Sequence, residues 1–306
     1  VKAFCLSGYG KVFYKRKQTF SLIDEQEKRK DRALTEEQQQ ALSVISKAID
    51  QEAFKGILLK GVTGSGKTEV YLRAAERALE RGGSALILVP EIALTPQMIQ
   101  TFSSHFGDTV AVLHSSLSVG ERYDEFKRVR SGKARLVIGT RSAVFAPAEK
   151  LGLIIIDEEQ EETYKSENSP RYNARDVAIY RCAQAGCLLL LGSATPDIVS
   201  MYKARQGNYS LFTLRSRYND MQLPQVEIID MKRELRRGNG TDISEKLREE
   251  LGENISRGEQ SILFINRRGA NKLISCGDCG YTYKCPRCSV SLTYHSANRR
   301  LMCHYC

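Results

Sequence analysis

The sequence predicts a doubly wound α/β domain built around a phosphate-binding glycine loop and followed by a cysteine-rich metal module. Three observations carry this expectation. Between 57 and 192, six short runs that are apolar on every residue alternate with amphipathic helical stretches. The octapeptide Gly61-Val62-Thr63-Gly64-Ser65-Gly66-Lys67-Thr68 lies between an apolar run and a strong helix pattern. Six of the nine cysteines fall in three Cys-x-x-Cys pairs near residue 306.

The apolar runs are 57–59, 85–89, 111–113, 136–138, 153–156 and 187–191. Strands this short and this uniformly apolar fit a parallel sheet covered on both faces, with ligands expected at the carboxyl ends of the strands. After the first run, the octapeptide fits Gly-x-x-x-x-Gly-Lys-Ser/Thr in the strand-loop-helix setting that motif requires. Gly61, Gly64, Ser65 and Gly66 would close backbone N–H groups around a polyphosphate. Lys67 would reach the β/γ-phosphates and the Thr68 hydroxyl would hold Mg²⁺, so ATP and Mg²⁺ are the expected ligands. The helix is expected over 69–81.

Composition bounds the rest. A chain of 306 residues with 42% hydrophobic content is long enough for about two domains with real cores. Lys+Arg 46 against Asp+Glu 36 gives a net charge of +10, which suits a polyanionic partner but only weakly selects one. No apolar run approaches the roughly 18 residues of a membrane span and no signal-peptide pattern opens the chain, so no membrane is expected and the location is read as cytoplasmic.

Residues 1–33 carry an apolar start, a Ser7-Gly8-Tyr9-Gly10 turn and mixed charge without a core of their own. They read as the tail of a preceding DNA-binding domain and a linker, the charges serving either as DNA contacts or only as a solvated face. A helix opens at Thr35 with Gln38 three residues on, which is a capping box by spacing. Gln38, upstream of the glycine loop, is also placed to read an adenine edge, and the two roles are compatible.

Four loops follow the strand ends. Residues 90–96 expose polar groups at a helix start. Gly139-Thr140-Arg141-Ser142 offers hydroxyls and the Arg141 guanidinium to phosphate oxygens. Asp157-Glu158-Glu159-Gln160 places Asp157 to bind Mg²⁺ through its water shell and Glu158 to polarise a water attacking the γ-phosphate. Gly192-Ser193-Ala194-Thr195-Pro196 puts the hydroxyls of Ser193 and Thr195 at another strand end, where they can relay the state of the phosphate site. Between the last two, Tyr164 and Tyr172 interleave with Lys165, Arg171 and Arg175, giving rings for stacking bases and cations for phosphates, or else a solvated loop.

Taken together, the glycine loop, Val-Pro-Glu-Ile-Ala-Leu-Thr-Pro-Gln, Gly-Thr-Arg-Ser-Ala-Val-Phe-Ala-Pro, Asp-Glu-Glu, Gly-Ser-Ala-Thr-Pro and Phe-Ile-Asn-Arg-Arg-Gly resemble the primosomal replication-restart DNA helicases of superfamily 2, over about 34–306. The resemblance implies a RecA-like helicase lobe over 34–222, the start of a second RecA-like lobe over 223–275 and an incomplete zinc-binding module over 276–306. It places Gln38 in the adenine-reading segment, Lys67 and Thr68 in motif I, Asp157 and Glu158 in motif II, and Ser193 and Thr195 in motif III. By the same resemblance 161–175 is an aromatic-rich loop coupling single-stranded DNA to ATP hydrolysis. The resemblance further implies translocation 3′ to 5′ on single-stranded or forked DNA, with primosome proteins and single-strand-binding protein as partners. One departure stands out: Gln160 replaces the histidine expected after Asp-Glu-Glu. A glutamine can still donate and accept, but an imidazole proton is lost.

After Pro224, 225–229 and 261–265 read as strands and Ser244 as the cap of a helix repeating Leu247, Leu251 and Ile255. No motif VI segment with its arginine finger follows, so the chain reads as an internal fragment. Among the cysteines, Cys285 and Cys288 with Cys303 and Cys306 leave 14 residues between pairs, close to a zinc-ribbon spacing. Cys276 and Cys279 have no second pair here, and the resemblance, which implies two nested Zn²⁺ sites, puts the missing pair beyond 306. Cys5, Cys182 and Cys187 read as core residues, and His114, His295 and His304 as structural histidines. Two other readings are a restriction-type motor subunit, which would lack the cysteine module, and a non-catalytic zinc scaffold that binds DNA and ATP without turnover.

Overall fold

The computed structural model describes residues 33–217, 224–264, 276, 279, 281–295 and 300–306. The expected tail at 1–33 lies almost wholly outside the described residues, as do Cys5 and most of the Phe-Ile-Asn-Arg-Arg-Gly segment. The chain divides into two compact units, 1–222 and 223–306. Among the described residues no helix is long and apolar enough to cross a membrane.

The first unit is a seven-stranded sheet in the order β3-β4-β2-β5-β6-β1-β7, with every adjacent pair parallel. Its strands are β1 Lys55–Gly61, β2 Ser84–Leu88, β3 Val110–Leu113, β4 Leu136–Gly139, β5 Leu151–Ile156, β6 Leu188–Ser193 and β7 Ser210–Leu214. Helices α1 Glu36–Asp50, α2 Lys67–Glu80 and α3 Pro96–Phe106 cover one face, and α4 Val119–Arg130, α5 Ala174–Ala185 and α6 Ile198–Arg205 the other. Because a strand turns alternate side chains to opposite faces, Ile57, Ile87, Ile155 and Leu190 enter one core while Leu58, Leu86, Ile154 and Leu189 enter the second. Burial on both faces is why these strands are apolar on every residue.

All six expected strands form. The seventh, β7, escaped notice because it is an edge strand with Ser210, Leu211 and Thr213 exposed, so its composition carries no continuous apolar run. The Gly139 loop leads into a 3₁₀ turn over Arg141–Phe145 instead of a helix. No side chain fits at Gly139, since a Cβ there would lie 2.1 Å from the Leu113 carbonyl oxygen.

The second unit holds α7 Met231–Arg236, α8 Glu245–Ser256 and a two-stranded antiparallel ribbon, β8 Thr293–His295 with β9 Arg300–Met302. Helix α8 starts where expected, with the Ser244 side chain accepting from the Leu247 N–H. Residues 225–229 and 261–264, expected as strands, form none; residue 265 lies outside the described residues. The apolar residues that suggested strands, Val226, Ile228, Ile262 and Phe264, are exposed, and a strand needs a hydrogen-bonded neighbour as well as a pattern.

Phe102 on α3 is fully buried in the larger core. Phe102→Ala is expected to cost about 3–5 kcal/mol, while Ile262→Ala in the second unit stays within about 0.5 kcal/mol. Urea denaturation of both variants beside the parent checks this.

Candidate functional site

The carboxyl ends of β1, β2, β5 and β6 converge on one edge of the sheet. From β1 the chain turns through a glycine loop whose Gly64 (φ 81°) and Gly66 (φ 79°) are left-handed, a conformation that penalises side chains. Gly66 is the N-cap of α2 and supplies no side-chain cap, so the first-turn N–H groups of α2 are left for an anion. The Ser65 hydroxyl, buried in the same loop, finds no hydrogen-bond partner among the described residues. An anionic ligand with many acceptor oxygens, such as a nucleotide polyphosphate, fits this set of donors. Lys67 Nζ donates to the Gly61 carbonyl at 3.0 Å and stands 3.8 Å from Glu158 Oε1, so its charge already spans the loop and the acidic strand end.

Gln38 is fully buried. Its Oε1 accepts from Thr35 N–H at 2.9 Å, closing the capping box of α1, and its Nε2 donates to the Ser65 carbonyl at 2.9 Å. The structure therefore brings Gln38 to the glycine loop as a brace between α1 and the loop backbone.

At the end of β5, four consecutive residues go to four destinations. Asp157 Oδ1 accepts from the Tyr71 hydroxyl at 2.8 Å. Burial pushes the Asp157 carboxyl above its ordinary range, partly opposed by that hydrogen bond. Burial, then the Asp157 charge, hold the Tyr71 phenol well above its own range, which keeps it a donor. Tyr71 reaches Asp157 only because residue 192 is glycine: a Cβ there would fall 1.7 Å from the Tyr71 oxygen.

Glu158 adopts a left-handed backbone (φ 45°), uncommon for a residue with a side chain and a form of local strain that clusters at functional sites. Its Oε2 accepts from Gln160 Nε2 at 2.9 Å. Gln160 Oε1 in turn accepts from the Ser193 hydroxyl, and Ser193 Oγ accepts from Thr195 N–H at 2.9 Å. An unbroken hydrogen-bond chain thus runs from Glu158 to the β6 loop, with Gln160 using both halves of its amide in the place expected for histidine.

Glu159 points into the protein. Its side chain is fully buried and accepts from Arg175 at 2.8 Å, Asp197 N–H at 2.8 Å and the Ser200 hydroxyl at 2.8 Å. Arg175 also pairs with Asp197 at 3.2 Å. This network ties the β5 end to the starts of α5 and α6, and it commits Arg175 to the protein instead of to a phosphate backbone.

Tyr164 differs from expectation in the same way. Its ring is 2% exposed, too buried to stack on a base, and its hydroxyl lies 2.6 Å from the Asp157 carbonyl and 3.0 Å from that of Leu88. Position 164 precedes a stretch that looks solvated, and nothing in its neighbours announces that the ring turns inward. Tyr172 remains partly exposed, edge-on to Phe145 with centroids 4.9 Å apart, and the Arg141 guanidinium lies 6.0 Å from its ring. Arg141 donates to the carbonyls of Thr163 (3.1 Å) and Lys165 (2.6 Å), anchoring the loop, while Lys165 is exposed. An open cleft of about 640 Å³ lies here, bounded by Gln160, Lys165, Arg171 and Asp197 among others. Sequence reasoning missed Tyr71 and Ser200; the one signal for Tyr71 is its place one turn after Lys67 on the same helix face.

In the second unit, Cys285, Cys288, Cys303 and Cys306 bring all four sulfurs within 4.8 Å of one another. Neighbouring sulfurs are 3.3 Å (285 to 306), 3.4 Å (288 to 303) and 3.6 Å (303 to 306) apart. A tetrahedral Zn²⁺ with Zn–S of about 2.3 Å needs sulfurs about 3.8 Å apart, so the residues fit that ion. Backbone N–H groups of Cys306 and Tyr305 lower the Cys303 thiol to about 6, while hydrogen bonding with the Cys285 sulfur raises Cys306 to about 12. Cys276 and Cys279 are exposed and stand outside this cluster. His295 and His304 face each other at 2.7 Å and are not among the clustered ligands, and Cys182 and Cys187 are buried as core residues.

Removing Arg175 leaves the Glu159 carboxylate buried and unpaired. Arg175→Ala should lower stability by about 3–5 kcal/mol, with partial recovery in Arg175→Lys. Equilibrium urea unfolding reads this directly; an arginine that only touched DNA would leave the unfolding midpoint in place.

Residues 35–203 match the family model of the DEAD/DEAH box helicases, and 285–306 match that of the PriA DNA helicase Cys-rich region. The replication restart protein PriA of Bacillus subtilis (strain 168) is 50% identical over 273 residues, covering 89% of this chain and 34% of that protein. The one from Treponema pallidum (strain Nichols) is 44% identical over 274 residues, 90% of this chain and 40% of that protein. That from Synechocystis sp. is 45% identical over 284 residues, 89% of this chain and 34% of that protein. This chain therefore spans well under half the length of the curated relatives it matches. With the glycine loop, the Asp-Glu-Glu strand end and the four-cysteine cluster already in place, these matches show that the chain belongs to the DEAD/DEAH box helicase family, on the branch of the replication restart proteins.

Proposed function

We propose that this chain binds and hydrolyses ATP and couples that hydrolysis to 3′-to-5′ movement along single-stranded DNA, as the motor segment of a cytoplasmic replication-restart helicase. Forked DNA, primosome proteins and single-strand-binding protein are the partners of this reading. The observation that carries it is the hydrogen-bond chain Glu158, Gln160, Ser193 and Thr195, which starts 3.8 Å from the Lys67 ammonium.

The residues take these roles. The glycine loop and the α2 N-terminus hold the polyphosphate through backbone N–H groups, and Lys67 exchanges its Gly61 carbonyl for phosphate oxygens. Thr68 and Asp157 are the residues that would hold Mg²⁺; the ion, when bound, neutralises charge on the β- and γ-phosphate oxygens. Tyr71 fixes the Asp157 rotamer through the 2.8 Å hydrogen bond. Glu158 orients and deprotonates the attacking water, and its second oxygen stays on Gln160, so a change at the γ-phosphate alters a bond that reaches Ser193. Gln160 does not titrate between pH 5 and 8, so this link is independent of pH where a histidine's would not be. On the DNA side, Tyr172 and Phe145 present the aromatic edge for a base, with Lys165 beside them for a phosphate. The four-cysteine cluster holds one Zn²⁺ and makes the fold of 285–306 depend on it.

Lys67→Ala should abolish ATP hydrolysis and weaken nucleotide binding while leaving DNA affinity largely intact. Glu158→Gln should keep ATP binding and lose turnover by two orders of magnitude or more, on the order of the effect of removing a general base. Steady-state ATPase assays with single-stranded DNA, beside equilibrium nucleotide titrations, decide both. Equal turnover in Lys67→Ala and parent would remove the nucleotide-site assignment.

Metal analysis of the purified chain should give about one tightly bound zinc. Chelation or Cys288→Ser should release it and unfold 285–306 without moving the urea midpoint of the first unit. Two equally tight zinc ions would show that Cys276 and Cys279 join a site of their own.

A further inference from the structure

Only two buried side-chain polar atoms lack a hydrogen-bond partner among the described residues, Ser65 Oγ and Arg217 Nε. Both belong to the same place. Strand β7 pairs with β1 so that Leu214 stands opposite Gly61, and Val62 N–H donates to the Leu214 carbonyl at 3.2 Å. The chain leaving β7 therefore runs beside the glycine loop. It is pinned there by Glu37 in the first turn of α1, whose Oε2 accepts from Arg215 N–H at 2.7 Å and from Ser216 N–H at 3.5 Å. The next residue, Arg217, lays its stem across Gly64: a Cβ built on that glycine would stand 3.8 Å from Arg217 Cγ and 3.9 Å from Cδ.

We propose that Arg217 is a nucleotide-contacting residue, its guanidinium donating to the polyphosphate held by the glycine loop. This rests on the reading of 61–68 as a nucleotide site and adds a second cation to it, on the side away from Lys67's partner Glu158. The guanidinium is always protonated and donates in its own plane through Nε and the terminal nitrogens. A buried donor without an acceptor is costly, so the geometry makes sense when an acceptor arrives. Phosphate oxygens supply acceptors in that plane, whereas a purine stacked on the guanidinium face would leave Nε–H unpartnered. The chemistry thus selects phosphate over base. The backbone pins on residues 215 and 216 hold the stem before any ligand is present, so little further ordering of this segment is needed when phosphate binds. Gly64 suits this place because its left-handed φ of 81° disfavours a side chain, and the Arg217 stem passes within van der Waals reach of its α-carbon side.

The test is equilibrium binding of N-methylanthraniloyl-labelled ATP, ADP and adenosine to the full chain, its Arg217→Gln and Arg217→Lys variants and Lys67→Ala, each checked for an unchanged unfolding midpoint. Loss of a charge-assisted hydrogen bond predicts a Kd for labelled ATP and ADP raised about tenfold or more in Arg217→Gln, with partial recovery in Arg217→Lys and no change for labelled adenosine. A Kd within twofold of the parent for labelled ATP would overturn the proposal. So would an equal loss for labelled adenosine, which would make Arg217 a base contact. If the parent and Lys67→Ala bind labelled ATP alike, or the parent binds none, the nucleotide site itself falls and the Arg217 assignment with it. If Lys67→Ala loses binding and Arg217→Gln does not, only the arginine assignment fails.

Discussion

The first unit depends on one constraint, that its sheet is buried on both faces. A strand interior such as Leu58, Leu86 or Ile155 has no water on either side, so no polar side chain can be housed along it without a partner. Polar chemistry is thereby forced to the strand ends, and because every adjacent pair is parallel, all the carboxyl ends lie on the same edge. Gly61 to Thr68, Arg141, Asp157 to Gln160 and Ser193 to Thr195 are far apart in the chain but converge for this reason.

The run Asp157-Glu158-Glu159-Gln160 shows how much one strand end can hold. Leaving β5, Asp157 takes Tyr71 and Glu158 turns through a left-handed φ of 45°. Glu159 dives to Arg175 and Ser200, and Gln160 reaches Ser193. The buried Glu159 network costs desolvation of an ion pair, and its yield is geometric, because it clamps the starts of α5 and α6 to the strand whose next residue touches Ser193. The β6 loop is thereby tied to the β5 end at two points, through the Ser193 hydroxyl to Gln160 and through Glu159 N–H to the Gly192 carbonyl at 3.1 Å.

Legibility from the residues follows the same physics. Six strands, edge strand β3 among them, were readable because burial on both faces imposes an apolar pattern on nearly every residue, and the glycine loop because backbone geometry there disfavours side chains. Edge strand β7 was not readable, since Ser210 and Thr213 face water and satisfy no periodic rule. The segments 225–229 and 261–264 failed in the opposite sense: their apolar pattern is real, but pattern without a hydrogen-bonding neighbour does not make a strand. At the site, the motif positions were legible as residue types. Direction was not, because whether Tyr164 or Tyr172 faces solvent is settled by which ring fits beneath Leu88, Asp157 and the start of α5, a tertiary fact with no local signature.

Gln38 and Arg217 together show why a motif position is not yet a role. Gln38 stands where base recognition was expected, yet its amide is occupied by Thr35 and Ser65, so what it transmits is the position of α1 relative to the glycine loop. Glu37, one residue earlier on the same turn, transmits that position to 215 and 216. The first turn of α1 is therefore a joint that holds the glycine loop on one side and the chain leaving β7 on the other. A ligand that draws Arg217 and the loop backbone toward one set of phosphate oxygens pulls on both arms of that joint at once. The nucleotide would then join the glycine loop to an exit from β7 that the first turn of α1 already holds in place.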